Sequence, residues 1–359
     1  MSTYPYHIDW VCEQVGIPVK QTNRGSFDTN CPFCGDKGKK KLNINVAKDV
    51  FRCNRCGESG GMVKLYALMK GISREDAKKE LKELFHGLSV SDKKRIAVQR
   101  QQIQEAPVIQ QRSIEERNGV YTTLLNECGL SEAHLADLLR RGLDMPWIES
   151  KGYKTVPMLG FAYLGRASLS DWNWNIPGFV KTANGPVMAK QPAGYFVPVR
   201  TLEGKISGLQ IRADNPKSGC KYVWFSSGWL DGGTSVTGIE TVHHVGFKRG
   251  EVPKRVWLTE GPLKADICSF ILGEPVIAVC GVNNTSQLPA VLKRLKAMGV
   301  ETIQECFDMD QFENPHVAKA SAAIHQMVKD AGLIGKRKAW DKTYKGLDDY
   351  LVAKRKEKK

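Results

Sequence analysis

"RVWLTEGPLKADICSFILGEPVIAVCG", residues 255–281, decides the fold. "RVWLT" reads as a strand, "LKADICSFILG" as a helix and "PVIAVC" as a second strand. Gly261 and Gly281 stand at the strand-to-helix turns, where backbone must pass close to a site. The pattern continues. "SQLPAVLKRLKAMG" (286–299) is a helix and "ETIQECF" (301–307) a strand. "NPHVAKASAAIHQMVKDAG" (314–332) is a helix with Val317, Ile324, Met327 and Ala331 on one face, and "RKAW" (337–340) a closing strand. This alternation implies an α/β domain with a mainly parallel sheet between helices. Such sheets bind ligands beyond the carboxyl ends of their strands.

Acidic residues collect at those ends. Residues two apart on a strand point the same way, so Asp308 and Asp310 share a face after "ECF". Glu260 occupies the matching end of the first strand. Three carboxylates with no arginine or lysine clamp evident among them would repel one another. A hard divalent cation, Mg2+ or Mn2+, resolves that, and suits substrate phosphates. "KGLDDYL" adds Asp348 and Asp349, which would help hold a second ion. The bland alternative for Asp308 and Asp310 is a helix-capping turn.

A different chemistry sits near the start. Cys31 and Cys34 form "CPFC", Cys53 and Cys56 form "CNRC", and eighteen residues separate the pairs. Two such knuckles suit a tetrahedral Zn2+ with four thiolates. Gly35 and Gly57 follow the second cysteine of each pair, and "KLNINVAKDVFRC" alternates as a hairpin between them. A ribbon this small needs its metal to fold. Lys37, Lys39, Lys40, Lys41, Arg52 and Arg55 surround it, interleaved with Phe33 and Phe51. Cations with aromatics suit single-stranded nucleic acid. Phe51 reads better as packing under the zinc. The remaining cysteines read as buried free thiols.

The chain has 359 residues, 42% of them hydrophobic, and a formal charge of +15. The length fits about two or three domains, and the charge favours a polyanionic partner. The apolar runs fall short of a membrane span, and "MSTYPYHIDW" lacks the parts of a secretory signal. No membrane partner is expected, and a cytoplasmic, reducing compartment is the expected location. "SREDAKKELKELFHG" is a helix capped by Ser73. "GYFVPVRTLEGKISGLQIR" (194–212) reads as two strands joined at Glu203–Gly204. The expected organisation is a zinc-ribbon domain over 1–87, a partly helical linker over 88–116 and a subdomain with basic strands over 117–250. The acidic α/β domain follows over 251–353, with a basic tail over 354–359.

The acidic pattern, Glu260–Gly261 after one strand and Asp308–Met309–Asp310 after the third, resembles the Toprim domain of topoisomerases, primases and some nucleases. "IDWVCEQVGIPVKQTNRGSFDTNCPFCGDK" and "FRCNRCGESGGMVKLYALM" are similar to the zinc-binding domain of DnaG-type bacterial primases. "GYFVPVRTLEGKISGLQIRADNPKSGCKY" resembles the basic strands before Toprim in those enzymes, and "LLRRGL" and "KGLDDYL" sit where they carry similar segments. The likeness covers residues 8 to 353 in that family's domain order. It is nearest to the primase-like proteins of phages, plasmids and other mobile elements.

The resemblance implies a zinc ribbon followed by a DnaG-like catalytic core with a Rossmann-like Toprim sheet. It implies that Glu260, Asp308 and Asp310 bind catalytic metals, with Asp348 in support. Arg200, Lys205, Arg212 and Lys221 would line a groove for template and nucleotide triphosphates. Lys264, with Lys39, Lys40, Arg52 and Arg55 of the ribbon, would also contact nucleic acid or nucleotide. The implied activity is synthesis of short RNA primers on single-stranded DNA, with a replicative helicase or other replication proteins acting in trans. The alternatives are a catalytically weak single-strand-binding accessory and a Toprim nuclease. Two departures stand out. Cys34 replaces a usual His, and Lys264 replaces an acid four residues after the Glu. No Walker A pattern is present, and only "KRKEKK" follows residue 353.

Overall fold

The computed structural model describes residues 4–357 except 20–24, 36–39, 106–111, 159–174, 183–184, 217–220, 229, 231–232, 235, 237–241, 246–252, 282–283 and 310–314. Asp310, Lys37 and Lys39 lie outside the described residues. The chain divides into two compact units, Met1–Val108 and Ile109–Lys359.

The first unit runs α1 (Ile8–Gln14), β1 (Ser26–Thr29), β2 (Leu42–Asn45), β3 (Val50–Cys53), β4 (Ser59–Gly61), α2 (Met62–Lys70), α3 (Arg74–His86) and α4 (Val90–Glu105). Its strands form an antiparallel meander in the order β1-β2-β3-β4. Alternation explains the packing. Leu42 pairs with Cys53 and Ile44 with Phe51, so all four point into one core with Trp10, Leu65 and Leu81. Arg52, between Phe51 and Cys53, is thrown to the exposed face. The turn after β2 is fixed from α1. The buried Asp49 accepts from the Ile8 amide at 2.9 Å and pairs with His7 Nδ1 at 2.8 Å. Ser73 caps α3 by accepting from the Asp76 amide at 3.1 Å.

The stretch 88–116 reads as a partly helical linker. α4 occupies most of it, and Ser113 with Glu116 makes a reciprocal capping box that starts α5 (Ile114–Glu127).

In the second unit α5 leads to α6 (Glu132–Arg140), α7 (Met145–Lys151), β5 (Lys154–Thr155), β6 (Phe179–Thr182), β7 (Gly185–Met188), β8 (Gly194–Arg200), β9 (Ile206–Ala213) and β10 (Tyr222–Trp224). An antiparallel sheet of order β10-β9-β8-β5 results, with β6 and β7 paired separately. Then come β11 (Val242–Val245), β12 (Arg255–Glu260), α8 (Pro262–Leu272), β13 (Val276–Val279), α9 (Leu288–Met298), β14 (Thr302–Glu305), α10 (Pro315–Asp330), β15 (Ile334–Arg337) and α11 (Leu347–Glu357). These strands are ordered β11-β13-β12-β14-β15. The last four are mutually parallel, and β11 adds an antiparallel edge that the βα alternation does not reveal.

β12 is central, and both faces of the sheet are covered. Val256, Leu258, Ile277, Val279 and Ile303 pack on α9 and α10 through Val291, Leu292, Leu295, Ile324 and Val328. Trp257, Ala278 and Cys306 meet Ala265, Cys268 and Leu347 on the other face. The closing strand lies three residues earlier than "RKAW" suggests. Gly332, at φ 74°, ends α10 abruptly, and the Ile334 amide at once donates to Glu301 O at 2.9 Å. Trp340 is buried beyond the strand, its Nε1 donating to Tyr344 O at 2.9 Å.

Leu258 is fully buried at the centre of this sheet. Leu258→Ala should cost about 2–5 kcal/mol by the loss of apolar contact and the cavity left behind. A urea titration followed by tryptophan fluorescence measures it.

Candidate active site and metal centre

In the first unit the Sγ atoms of Cys31, Cys34, Cys53 and Cys56 all lie within 4.8 Å of one another. The Cys31–Cys56 and Cys34–Cys53 separations are 3.8 and 3.9 Å. A zinc ion with Zn–S bonds of about 2.3 Å has tetrahedral S···S edges of about 3.8 Å, so this donor set fits Zn2+. The second knuckle is built by backbone. Amides of Arg55 and Cys56 donate to Cys53 Sγ at 3.3 and 3.4 Å, and Gly57 closes the turn at φ 75°. Burial pushes the Cys53 thiol up, but those amides outweigh it and hold the thiol below its ordinary range. Gly35 plays the same part at φ 61°.

Arg52, Arg55 and Lys40 are exposed around this centre. Phe51 is buried, its ring 5.8 Å from that of half-buried Phe33, so it packs the ribbon as its sequence context suggested.

In the second unit the register sets the acids together. Leu258 of β12 lies beside Glu305 of β14, so the two strands end at a common edge. Glu260 is the last residue of β12, and Asp308 follows β14. Asp348, in the first turn of α11, is buried beside Gly346. A side chain at Gly346 would collide with Asp348 Oδ1 and lie 3.5 Å from Lys264 Cε. The Met309 amide donates to Lys345 O at 2.9 Å and ties these two loops.

The sequence showed no clamp among these acids; the fold supplies one. Lys264 Nζ contacts Asp308 Oδ1 and lies 3.5 Å from Glu260 Oε1. Lys345 Nζ stands 3.8 Å from Asp308 Oδ2. Burial opposes the Lys264 charge, but Glu260, Asp308 and Asp348 hold the amine above its ordinary range. Burial raises the Asp348 carboxyl, with Lys264 opposing. Asp348 Oδ1 is buried with no hydrogen-bond partner among the described residues. A carboxylate oxygen in that position suits a cation. Among the described residues the four cysteines are the one group of three or more ligands placed to hold a metal ion as they stand, whereas at the acidic edge Lys264 occupies the place between Glu260 and Asp308.

Beside this edge lies a second constellation that the sequence did not single out. Asp137 of α6 takes Arg140, Arg141 Nε at 2.9 Å, Arg212 Nε at 3.3 Å and the Tyr195 hydroxyl at 3.0 Å. Burial raises the Asp137 carboxyl, but Arg141 and Arg140 drive it well below the usual range. Three guanidinium groups share one carboxylate, so positive charge is left over. Tyr222 pairs across strands with Arg212, whose guanidinium lies 5.9 Å from its ring centre. Burial pushes the Tyr222 phenol up, Arg212 and Arg141 oppose, and Asp348 and Lys264 also act on it. That ring thus lies within electrostatic reach of both clusters. The sequence signals were Arg212, implied as a groove residue by the resemblance, and the Arg140–Arg141 pair in "LLRRGL"; Asp137 carried none.

The other basic residues do not join Arg212. Arg200 donates to Gly204 O at 2.9 Å and Lys151 O at 3.1 Å, and supports the hairpin turn. Lys205 pairs with Glu115 at 2.6 Å. Both sit at the turn of the β8–β9 hairpin, whereas Arg212 pairs with Tyr195 at its far end. Five residues along a strand is about 16 Å. Lys221 is exposed, its carbonyl accepting from Ala213 next to Arg212.

A domain family of unknown function, DUF3854, matches residues 249–358. No curated protein sequence matches the chain. Among solved structures, the RNA polymerase domain of Mycobacterium tuberculosis primase DnaG aligns with a TM-score of 0.50 at 13% identity, over 68% of this chain and 83% of that one. Over the aligned part the likeness is one of fold. The Aquifex aeolicus primase, zinc-binding and RNA polymerase domains together, aligns over 96% of this chain and 79% of its own, at 16% identity and a TM-score of 0.49. A DnaG catalytic domain bound to single-stranded DNA aligns over 67% of this chain and 76% of its own, at 15% identity and a TM-score of 0.49. Among the described residues no helix is long and apolar enough to cross a membrane.

Cys53→Ser removes one donor of the four. The zinc-to-protein ratio by atomic absorption should fall from about one to near zero, and amide exchange in residues 42–61 should accelerate. A variant that keeps its zinc refutes the ligand set.

Proposed function

We propose that this chain is a DNA primase, with a Toprim-type site at the end of its parallel sheet. It would extend short RNA primers on single-stranded DNA from nucleotide triphosphates. The observation that carries this is the pairing of two opposite charge clusters. Glu260, Asp308 and Asp348 gather at one sheet edge, and Arg140, Arg141 and Arg212 gather on Asp137, with Tyr222 in reach of both. The primase-like fold and the four-cysteine centre in the same chain support it.

The roles follow from the chemistry. Planar guanidinium groups bind phosphate oxygens in pairs, so Arg141 and Arg212 would grip triphosphate or template backbone. Asp137 fixes their orientation and prevents their mutual repulsion. Glu260, Asp308 and Asp348, with Asp310, would hold Mg2+ or Mn2+, whose chemistry is to activate the attacking hydroxyl and spread the charge of departing pyrophosphate. Exposed Arg52, Arg55 and Lys40 would hold template against the zinc unit. A helicase or other replication protein of a bacterial cell, phage or plasmid would act in trans.

One observation favours a second reading. Lys264 already neutralises Asp308, so the chain would serve as a single-strand-binding accessory if that contact never opens.

The test is incubation with single-stranded DNA, labelled nucleotide triphosphates and Mg2+, beside a Glu260→Gln control. Short products absent from the control establish the primase; binding without products establishes the accessory. Asp308→Asn should lower synthesis at least about a hundredfold, the scale of several kcal/mol of lost charge stabilisation, with single-strand binding intact. Arg141→Ala should instead raise the KM for nucleotide about tenfold or more, as loss of a charge-assisted phosphate contact does. Equal loss of binding and synthesis in Asp308→Asn would make that carboxylate structural.

A further inference from the structure

Lys264 stands where a lysine is least expected. It is the third residue of α8, whose N-terminus carries partial positive charge. Its ammonium is also largely shielded from water, with the side chain 24% exposed. Helical side chains lean toward the N-terminus, and this one reaches the strand ends. There it meets Asp308 Oδ1 and approaches Glu260 Oε1 to 3.5 Å. Lys345 faces Asp308 Oδ2 at 3.8 Å. Both oxygens of the central carboxylate therefore face ammonium groups. Asp348 Oδ1, by contrast, has no donor among the described residues, although its residue is only 6% exposed. That oxygen packs against Gly346, where a Cβ would collide with it and lie 3.5 Å from Lys264 Cε.

We propose that Lys264 is a tethered counter-cation that competes with a divalent ion for Asp308, so that metal binds only as the lysine withdraws. The inference rests on reading the acidic edge as a metal-dependent site, and it adds a regulation of that site. With Lys264 in contact with Oδ1 and Lys345 facing Oδ2, a divalent ion at Asp308 would be set against ammonium charge at close range, and that repulsion weakens its binding. The lysine is attached to the helix beside the site, so its effective concentration there is high and constant. A divalent ion must therefore outcompete it, and weak metal binding by the free chain follows. A bound triphosphate or template supplies negative charge that would draw the freed ammonium away, so metal and polyanion would bind cooperatively.

The full chain, with its zinc retained, is titrated with Mn2+ while free ion is read by electron paramagnetic resonance. Lys264→Met keeps the aliphatic length and removes the charge. It should bind Mn2+ at least about fivefold more tightly than the wild type, the lower end of measured couplings between sites. It should also melt lower without Mn2+, the gap closing as the ion is added. Equal or weaker binding overturns the proposal. Should the variant not fold, the wild type is treated with formaldehyde and a borohydride reagent, and lysine methylation is mapped by mass spectrometry. Mn2+ should speed modification of Lys264 and leave exposed Lys254 unchanged; an unaltered Lys264 rate overturns the proposal as well. Neither assay contains template or nucleotide. Competition without primer synthesis therefore removes the primase reading alone, and synthesis without competition removes this inference alone.

Discussion

The Lys264 ammonium meets the Asp308 carboxylate at the end of the parallel sheet, and the charge balance there depends on that pair. A helix N-terminus disfavours a cation by about 0.3–1 kcal/mol, and partial burial disfavours it further. Both penalties are opposed by Glu260, Asp308 and Asp348, which converge on the same amine. The dependence is mutual. Without the lysine three carboxylates would crowd one edge, and without the acids the lysine would leave it. The geometry that forces them together is ordinary parallel-sheet architecture. β12 lies between β13 and β14, so the end of β12 and the loop after β14 open on one rim.

The arginine cluster obeys the same logic with the signs reversed. Asp137 comes from α6 and Arg212 from β9, seventy-five residues apart in sequence. Their meeting depends on the core beneath them. Leu138 and Leu143 pack with Tyr195, Val197, Leu263 and Ile267, which joins α6, the β8–β9 hairpin and α8. Apolar burial sets the frame, and charge occupies its rim. One carboxylate among three guanidinium groups is too few to neutralise them but enough to order them. Side chains already held in this way would lose less conformational entropy on binding the phosphate that the proposed function assigns to them.

Much of this was legible in the residues. The spacing of Cys31, Cys34, Cys53 and Cys56 pointed to four thiols in one cluster, and alternation in 42–53 pointed to the hairpin that assembles them. The apolar runs at 256–258 and 276–279 marked central strands. What stayed hidden required knowledge of three-dimensional neighbours. The β11 edge lies outside the βα alternation that announced the other strands, and β15 was displaced because Gly332 turns the chain early. The Ser113–Glu116 box lay in a stretch whose polar composition suggested a linker. Asp137 was one acid among many until its three partners were known. Lys264 was visible as a departure from the resembled pattern. It is also the i+4 neighbour of Glu260, a spacing that often brings side chains together. Its second partner, Asp308, lies forty-four residues away and could come only from the sheet order.

The same comparison explains why one lysine in place of an acid need not empty the site of function. An acid at position 264 would add a fourth negative charge to an edge that already holds Glu260, Asp308 and Asp348, and would demand more cationic charge from solution. A lysine supplies a cation from within, so the edge folds without waiting for metal. It also makes the resting state selective. On the proposed reading a cation arriving alone would have to displace a tethered rival, whereas one arriving with a triphosphate would meet Arg141 and Arg212 already ordered on Asp137 and would offer the ammonium another anion. On that reading, charge balance at the rim would be a condition on substrate, and the departure at Lys264 would be a gate on the site rather than a lesion in it.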